Sequence, residues 1–155
     1  MKRLVATILI ILVASNAYAG GVLSIARSQL GRGETCGDNC GEDVLKYTRG
    51  QNVAWCAGYV SWVMTKAGKM KGKYTLSARE FSRIGVKTNN PMPGDVIVLR
   101  RGKSGRLGHV GIVEKIYKDK IVCIEGNVGK FPAKVKRITY SRKNIKNLIG
   151  FYRIK

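Results

Sequence analysis

The segment Ala54-Trp55-Cys56-Ala57-Gly58-Tyr59-Val60-Ser61-Trp62-Val63-Met64-Thr65-Lys66-Ala67 decides how this chain is read. Its apolar residues return every three or four positions, the period of a helix that buries one face. Gly68 follows, where a helix commonly ends in a left-handed residue. The pattern predicts the strongest helix of the chain, with Cys56 in its first turn. Unpaired N–H groups and a partial positive charge at that end favour a thiolate, the form of cysteine that attacks carbonyls. The competing reading of Cys56 is a buried structural thiol, a common fate of this residue type.

Outward from this helix the chain divides into two kinds of pattern. On the N-terminal side, Val22 to Leu30 reads as a short amphipathic helix closed by Gly31, and Asp43 to Tyr47 as a further helical turn. Beyond the main helix, Ser77 to Ile84 begins with a capping-box pattern, Ser77 followed by Glu80. After Pro91 the character changes. Pro93-Gly94 marks a turn, and Asp95 to Arg100, Val110 to Tyr117, Ile121 to Glu125, Val135 to Tyr140 and Leu148 to Arg153 read as strands. Lys118-Asp119 makes a tight hairpin between the second and third. Helices followed by an antiparallel sheet of about five strands define an α+β domain.

Of the 155 residues, 1–19 are expected to be a secretory leader. Lys2 and Arg3 precede an apolar run from Leu4 to Val13, and Ala17-Tyr18-Ala19 supplies a small-residue cleavage site. The run is short for a bilayer span. Residues 20–155 then form one domain, expected to be a secreted or periplasmic monomer without a membrane span. The formal net charge is +20, and it stays strongly positive without Lys2 and Arg3. Such a field favours polyanions. For an exported protein these are wall polymers, anionic lipid headgroups or acidic glycans. No nucleic-acid partner is expected, because no RNP, zinc-finger or helix-turn-helix signature occurs.

Four cysteines occur, at 36, 40, 56 and 123. Export permits disulfides, and Cys36 and Cys40 sit close together in a Gly-rich polar stretch that suits a short disulfide loop. A zinc site fits less well, since the single histidine is far along the chain. Glu34, Asp38, Glu42 and Asp43 offer oxygens for calcium, but their spacing is not that of an EF-hand loop. No metal or cofactor is therefore expected, with calcium as the alternative. Cys123 reads as a small buried hydrophobe.

A cysteine nucleophile needs a base, and His109 is the one histidine in the chain. It lies in Gly108-His109-Val110-Gly111 at the start of a strand, with glycines leaving space around the ring. The base in turn needs a group to orient its other nitrogen. Glu125 ends the next strand, and in an antiparallel pair the start of one strand lies beside the end of its neighbour. Asn127 competes with Glu125 for that role, and both also fit plain turn chemistry. Trp55 is a candidate wall of the cleft, whereas Tyr59 and Trp62 have the spacing of core residues.

Four blocks then carry a family resemblance: Trp55 to Trp62, Pro93-Gly94-Asp95-Val96-Ile97-Val98, Gly108-His109-Val110-Gly111-Ile112-Val113, and Glu125-Gly126-Asn127. In this order they resemble the CHAP domain, a cysteine amidase and peptidase domain of the NlpC/P60-like, papain-like group. Ser77-Ala78-Arg79 is similar to a small bacterial and phage subgroup. The resemblance spans about Gly31 to the C-terminus. It implies a catalytic Cys56, His109 and Glu125, with Asn127 in support. It also implies peptidoglycan as substrate, cut at a peptide cross-bridge or the glycan–peptide amide. Some members carry an Asp-rich calcium loop; here residues 33–43 hold two cysteines instead. The rival readings are an exported effector of the same fold acting on another amide, a basic binder without activity, and an inactive wall-binding module.

Overall fold

The computed structural model of the chain describes residues 21–104 and 107–155. The expected leader, 1–19, lies outside them. Residues 21–28 are helical (α1), and α2 spans Glu42–Thr48. The long helix α3 spans Cys56–Lys66. A 3-10 turn at Ala78–Glu80 leads into the short α4, Phe81–Ile84. Six strands follow: β1 Val86–Thr88, β2 Val96–Arg101, β3 Leu107–Ile116, β4 Lys120–Val128, β5 Lys134–Ser141 and β6 Leu148–Arg153. Among the described residues no helix is long and apolar enough to cross a membrane.

The strands form one antiparallel sheet in the order β1-β6-β2-β3-β4-β5. This is the expected α+β class with one strand more than the sequence pattern suggests. The extra strand, β1, has three residues and pairs only with β6. A three-residue strand is too short to display an alternation. The last strand enters the sheet between β1 and β2, and a buried ion pair holds it there. Asp95 is fully buried and takes two hydrogen bonds from Arg153, at 2.9 and 2.8 Å. A charge taken out of water needs such a partner.

The expected capping box does not form. Ser77 makes no side-chain cap, and the Glu80 carboxylate accepts from Arg83 at 2.9 Å instead. The segment folds as two short turns, too brief for the regular helix start that the box requires.

Helix α3 packs on β3 and β4. Tyr59, Val60, Val63 and Met64 are buried with Val96, Val98, Val110, Ile112 and Ile124 from the sheet. Each such side chain contributes about 1.5–3 kcal/mol when removed from water. A smaller cluster, Ile97, Leu99, Val113, Ile121, Cys123 and Phe151, covers the other side of the sheet. The alternation of β2 and β4 between these clusters follows from the two-residue period of a strand.

The seat of α3 depends on Gly126. A Cβ there would stand 2.8 Å from Tyr59 Cβ and 2.9 Å from Trp55 Cζ3. The front of the helix thus lies directly on the β4 backbone. Gly126→Ala is expected to destabilise the protein by about 1–3 kcal/mol, the usual cost of overpacking. Denaturant unfolding checks this, and an unchanged midpoint would show that the helix shifts freely.

Candidate active site

Cys56 is the first residue of α3. The first helical bond runs from Tyr59 N–H to the Trp55 carbonyl, at 2.9 Å. The N–H groups of Cys56, Ala57 and Gly58 precede it and remain available at the helix front. No acidic residue occupies the first turn, so nothing there competes with a thiolate. Cys56 is 6% exposed, with its edge on a cleft.

His109 lies in β3 opposite Leu99 of β2. The β3–β4 pairing stops at Gly111↔Glu125, and β4 loses register between Glu125 and Val128. The two strands part at this point, where the first turn of α3 meets the imidazole. Glu125 sits beside His109 as the hairpin geometry predicts. Its Oε2 is 2.7 Å from His109 Nε2. Both side chains are buried, with 3% and 1% residue exposure. An ionised carboxylate only accepts hydrogen bonds, so Nε2 carries a proton and Nδ1 is the free base position. Nδ1 is buried and has no aligned hydrogen bond of its own. The Cys56 thiol is nonetheless close enough to interact with the ring. The two groups are in reach but not yet aligned as a formed bond, which is common for a resting thiol–imidazole pair.

The electrostatics of the pair are mutual. Burial pushes the Cys56 thiol up, but hydrogen bonding and charge from His109 outweigh it. The positive charge of Arg101 and the Ala57 N–H add to the same side, and the thiol falls below its ordinary value. Burial alone would lower His109. Its interactions with Cys56 and Glu125 prevail and raise it to about 9. Each charged form stabilises the other, so the contacts of the pair favour a thiolate–imidazolium state.

Two glycines in the His109 motif serve other side chains than the ring itself. A Cβ on Gly111 would stand 2.5 Å from Glu125 Cγ, so this glycine makes room for the carboxylate. One on Gly108 would stand 2.7 Å from Arg79 Cγ. Sequence spacing alone did not separate these functions.

Tyr140 is the residue that sequence reasoning missed. Its hydroxyl donates to the second Glu125 oxygen, Oε1, at 2.8 Å. Burial and the neighbouring carboxylate hold this phenol protonated far above its usual range, so it acts as a permanent donor. A tyrosine in a strand is ordinary, and only the packed sheet brings this one to Glu125.

Asn127 does not bond the imidazole. It adopts left-handed geometry at the β4 irregularity (φ 59°), and its amide reaches Asn39 Oδ1 at 3.5 Å. It lines the same cleft as Cys56. Trp55 does not line the cleft, contrary to expectation. It is fully buried, stacked on Tyr47 with ring centroids 5.7 Å apart, and its indole N–H donates to Glu34 at 3.3 Å. Successive helical residues point about 100° apart, so Trp55 faces inward while Cys56 faces the cleft.

Cys36 and Cys40 are joined in a disulfide. Two of the four carboxylates around this loop are engaged within the protein. Glu34 accepts from the Asn39 N–H at 2.8 Å and the Ala133 N–H at 2.7 Å, and Asp43 pairs with Lys46 at 3.0 Å. Cys123 is a free buried thiol in the smaller cluster, raised well above its ordinary range by burial and then by Glu125 and Glu114.

The cleft beside Cys56 has a volume of about 440 Å³ and is bounded by Ser77, Arg79, Arg101, Leu107 and Asn127. A second hollow of about 490 Å³ adjoins it through Ala54 and Asn127 and reaches Asp38, Lys130 and Phe131. They share these two residues as a wall and form one groove, with the thiol lining the first hollow.

A sheet of this kind, with a cysteine-bearing helix seated on it, is the papain-like fold of NlpC/P60 proteins. The chain belongs to the CHAP domain family, whose model matches residues 47–127, slightly more than half of the sequence. No curated protein matches it in sequence. Among solved structures it is similar to Ly7917, determined with the hydrolysing product of MDP. The TM-score is 0.57 at 19% identity, covering 88% of this chain and 62% of that one. It is also similar to NlpC1 from Trichomonas vaginalis, with a TM-score of 0.55, 16% identity and coverage of 85% and 42%. A lipoprotein-like NLP/P60 family protein from Staphylococcus aureus gives 0.54, 19% identity, and 88% and 41%. The chain thus spans about three fifths of the first and two fifths of the others.

Tyr140→Phe removes one donor from a buried carboxylate while keeping the ring. It is expected to lower stability by about 1–3 kcal/mol, measured by chemical unfolding. No change in the unfolding midpoint would mean that water replaces the hydroxyl.

Proposed function

We propose that this protein is an exported peptidoglycan hydrolase that cleaves an amide bond through a cysteine nucleophile. The observation that carries this reading is the buried chain Cys56–His109–Glu125, in which the thiol is lowered and the imidazole raised. Membership of the CHAP family supports it. The leader-like residues 1–19 and the net charge of +20 support action outside the cytoplasm on an anionic wall polymer.

In this mechanism the Cys56 thiolate attacks the amide carbonyl, and the carbon becomes tetrahedral. Its oxygen takes up negative charge beside the free N–H groups of the α3 front, the donors that such charge requires. The His109 imidazolium gives its Nδ1 proton to the amine nitrogen. The C–N bond breaks, leaving an acyl thioester on Cys56 and neutral His109. A water molecule then attacks the thioester as His109 takes its proton. The acid departs and the ion pair returns. Glu125 holds the ring through Nε2 during both proton transfers and stabilises its cationic form.

The assay is the release of new amino groups from purified peptidoglycan by the mature protein, with the fragments assigned by mass spectrometry. Cys56→Ala is expected to reduce the rate by at least about 10³-fold with an unchanged circular dichroism spectrum. Glu125→Gln is expected to lower it by on the order of 10²-fold. Retained hydrolysis in Cys56→Ala would rule out the mechanism.

The pH profile offers a separate check. The productive state needs His109 protonated and Cys56 ionised. The raised imidazole keeps its proton up to about 9, so kcat/KM falls as pH rises through that value. It falls on the acid side as the thiolate gains a proton. In Glu125→Gln the charge of Glu125 is gone while that of Cys56 remains, and the alkaline limb moves part of the way down toward the ordinary histidine range. An alkaline limb that stays in place would exclude Glu125 as the source of the shift.

A further inference from the structure

The two halves of the groove differ chemically, and Cys56 lines the first. One half carries Arg79 from the 3-10 turn and Arg101 from the end of β2, and no carboxylate lines that half among the described residues. The other half carries both signs of charge, Glu34 and Asp38 with Lys130, and the half-exposed aromatic Phe131. Both basic residues are exposed and line the cleft that holds the thiol. The Arg79 stem lies across β3, with Cγ in the space a Gly108 side chain would fill, next to His109. Arg101 is close enough for its charge to act on the Cys56 thiol. Both arginines, from separate elements, line the same cleft as the Cys56 thiol. A guanidinium fork matches a carboxylate in shape and charge.

We propose that the Arg79–Arg101 half of the groove binds a free carboxylate of the substrate, so that the protein selects amides flanked by an acid over those flanked by a carboxamide. This rests on the hydrolase reading above and adds the chemistry of the group next to the scissile bond. Peptide stems of wall polymers carry carboxylates that are either free or amidated. The two arginines are therefore the residues that tell these forms apart. An amidated group offers no charge, and its NH₂ faces two further donors. Rejection thus comes from unmatched donors as well as from lost attraction.

The test compares two synthetic muropeptides that differ only in whether the carboxyl group flanking the scissile amide is free or amidated. Wild-type protein is expected to cleave the acid form with kcat/KM about 10- to 100-fold above the amide form, the range of a charge-assisted pair. Arg79→Gln is expected to bring that ratio toward one, with the change mostly in KM, and Arg79→Lys to restore part of it. Arg101→Gln reduces the ratio too, and also raises the acid limb of the pH profile because its charge no longer favours the thiolate. Equal kcat/KM for both peptides in wild-type protein overturns the proposal while leaving the hydrolase reading intact. So does a ratio that survives both substitutions. Failure to cleave either peptide, or whole peptidoglycan, overturns the hydrolase reading and this inference with it. Thermal melts of each variant separate loss of recognition from loss of fold.

Discussion

The site depends on how closely the front of α3 approaches the sheet. That approach is possible because β4 carries glycine at position 126, where any side chain would meet Tyr59 and Trp55. From this contact follows the position of Cys56 beside the parted ends of β3 and β4. Trp55 and Tyr47 form a fully buried base behind the helix front. Interiors are packed at the density of organic crystals, so this base transmits any shift of the helix to the thiol. A thiol held this way needs little reorganisation to meet the imidazole.

Burial gives the site its electrostatic character and creates its main cost. Glu125 is a charged group with 1% exposure, and an unpartnered carboxylate there would be strongly unfavourable. His109 takes one oxygen and Tyr140 the other, so the charge is matched from two sides. Burial works against the charged imidazole, but its interactions with Cys56 and Glu125 prevail and make it bind its proton more tightly than in water, which in turn favours the thiolate. The chain of groups from Tyr140 to Cys56 spans β5, β4, β3 and α3. No two-element fragment contains it. Arg101 adds a further positive charge at the end of β2, where it faces both the thiol and the groove.

The excess of positive charge acts at longer range. Its field draws polyanions and speeds encounter at low salt. Several cations are used inside the fold, including Arg27 and Arg137 on the buried Glu114 and Arg153 on Asp95. The remainder gives the surface a positive field, which suits the anionic wall polymer proposed as substrate.

Local pattern determined the helix beginning near Ala54, the five longer strands and the short loop holding Cys36 and Cys40. These features arise from interactions within a few residues, and periodicity records them. A single histidine and a cysteine at a helix front also left one pairing to consider, and hairpin geometry put Glu125 beside that histidine. Other features depended on register and packing between distant segments. The insertion of β6 between β1 and β2, the inward turn of Trp55, the contact of Asn127 with Asn39 and the reach of Tyr140 to Glu125 are of this kind. So is the placement of Arg79 and Arg101 along one cleft. Each joins residues that are far apart in the chain, and only the closed sheet with α3 seated on it brings them within hydrogen-bonding or charge range.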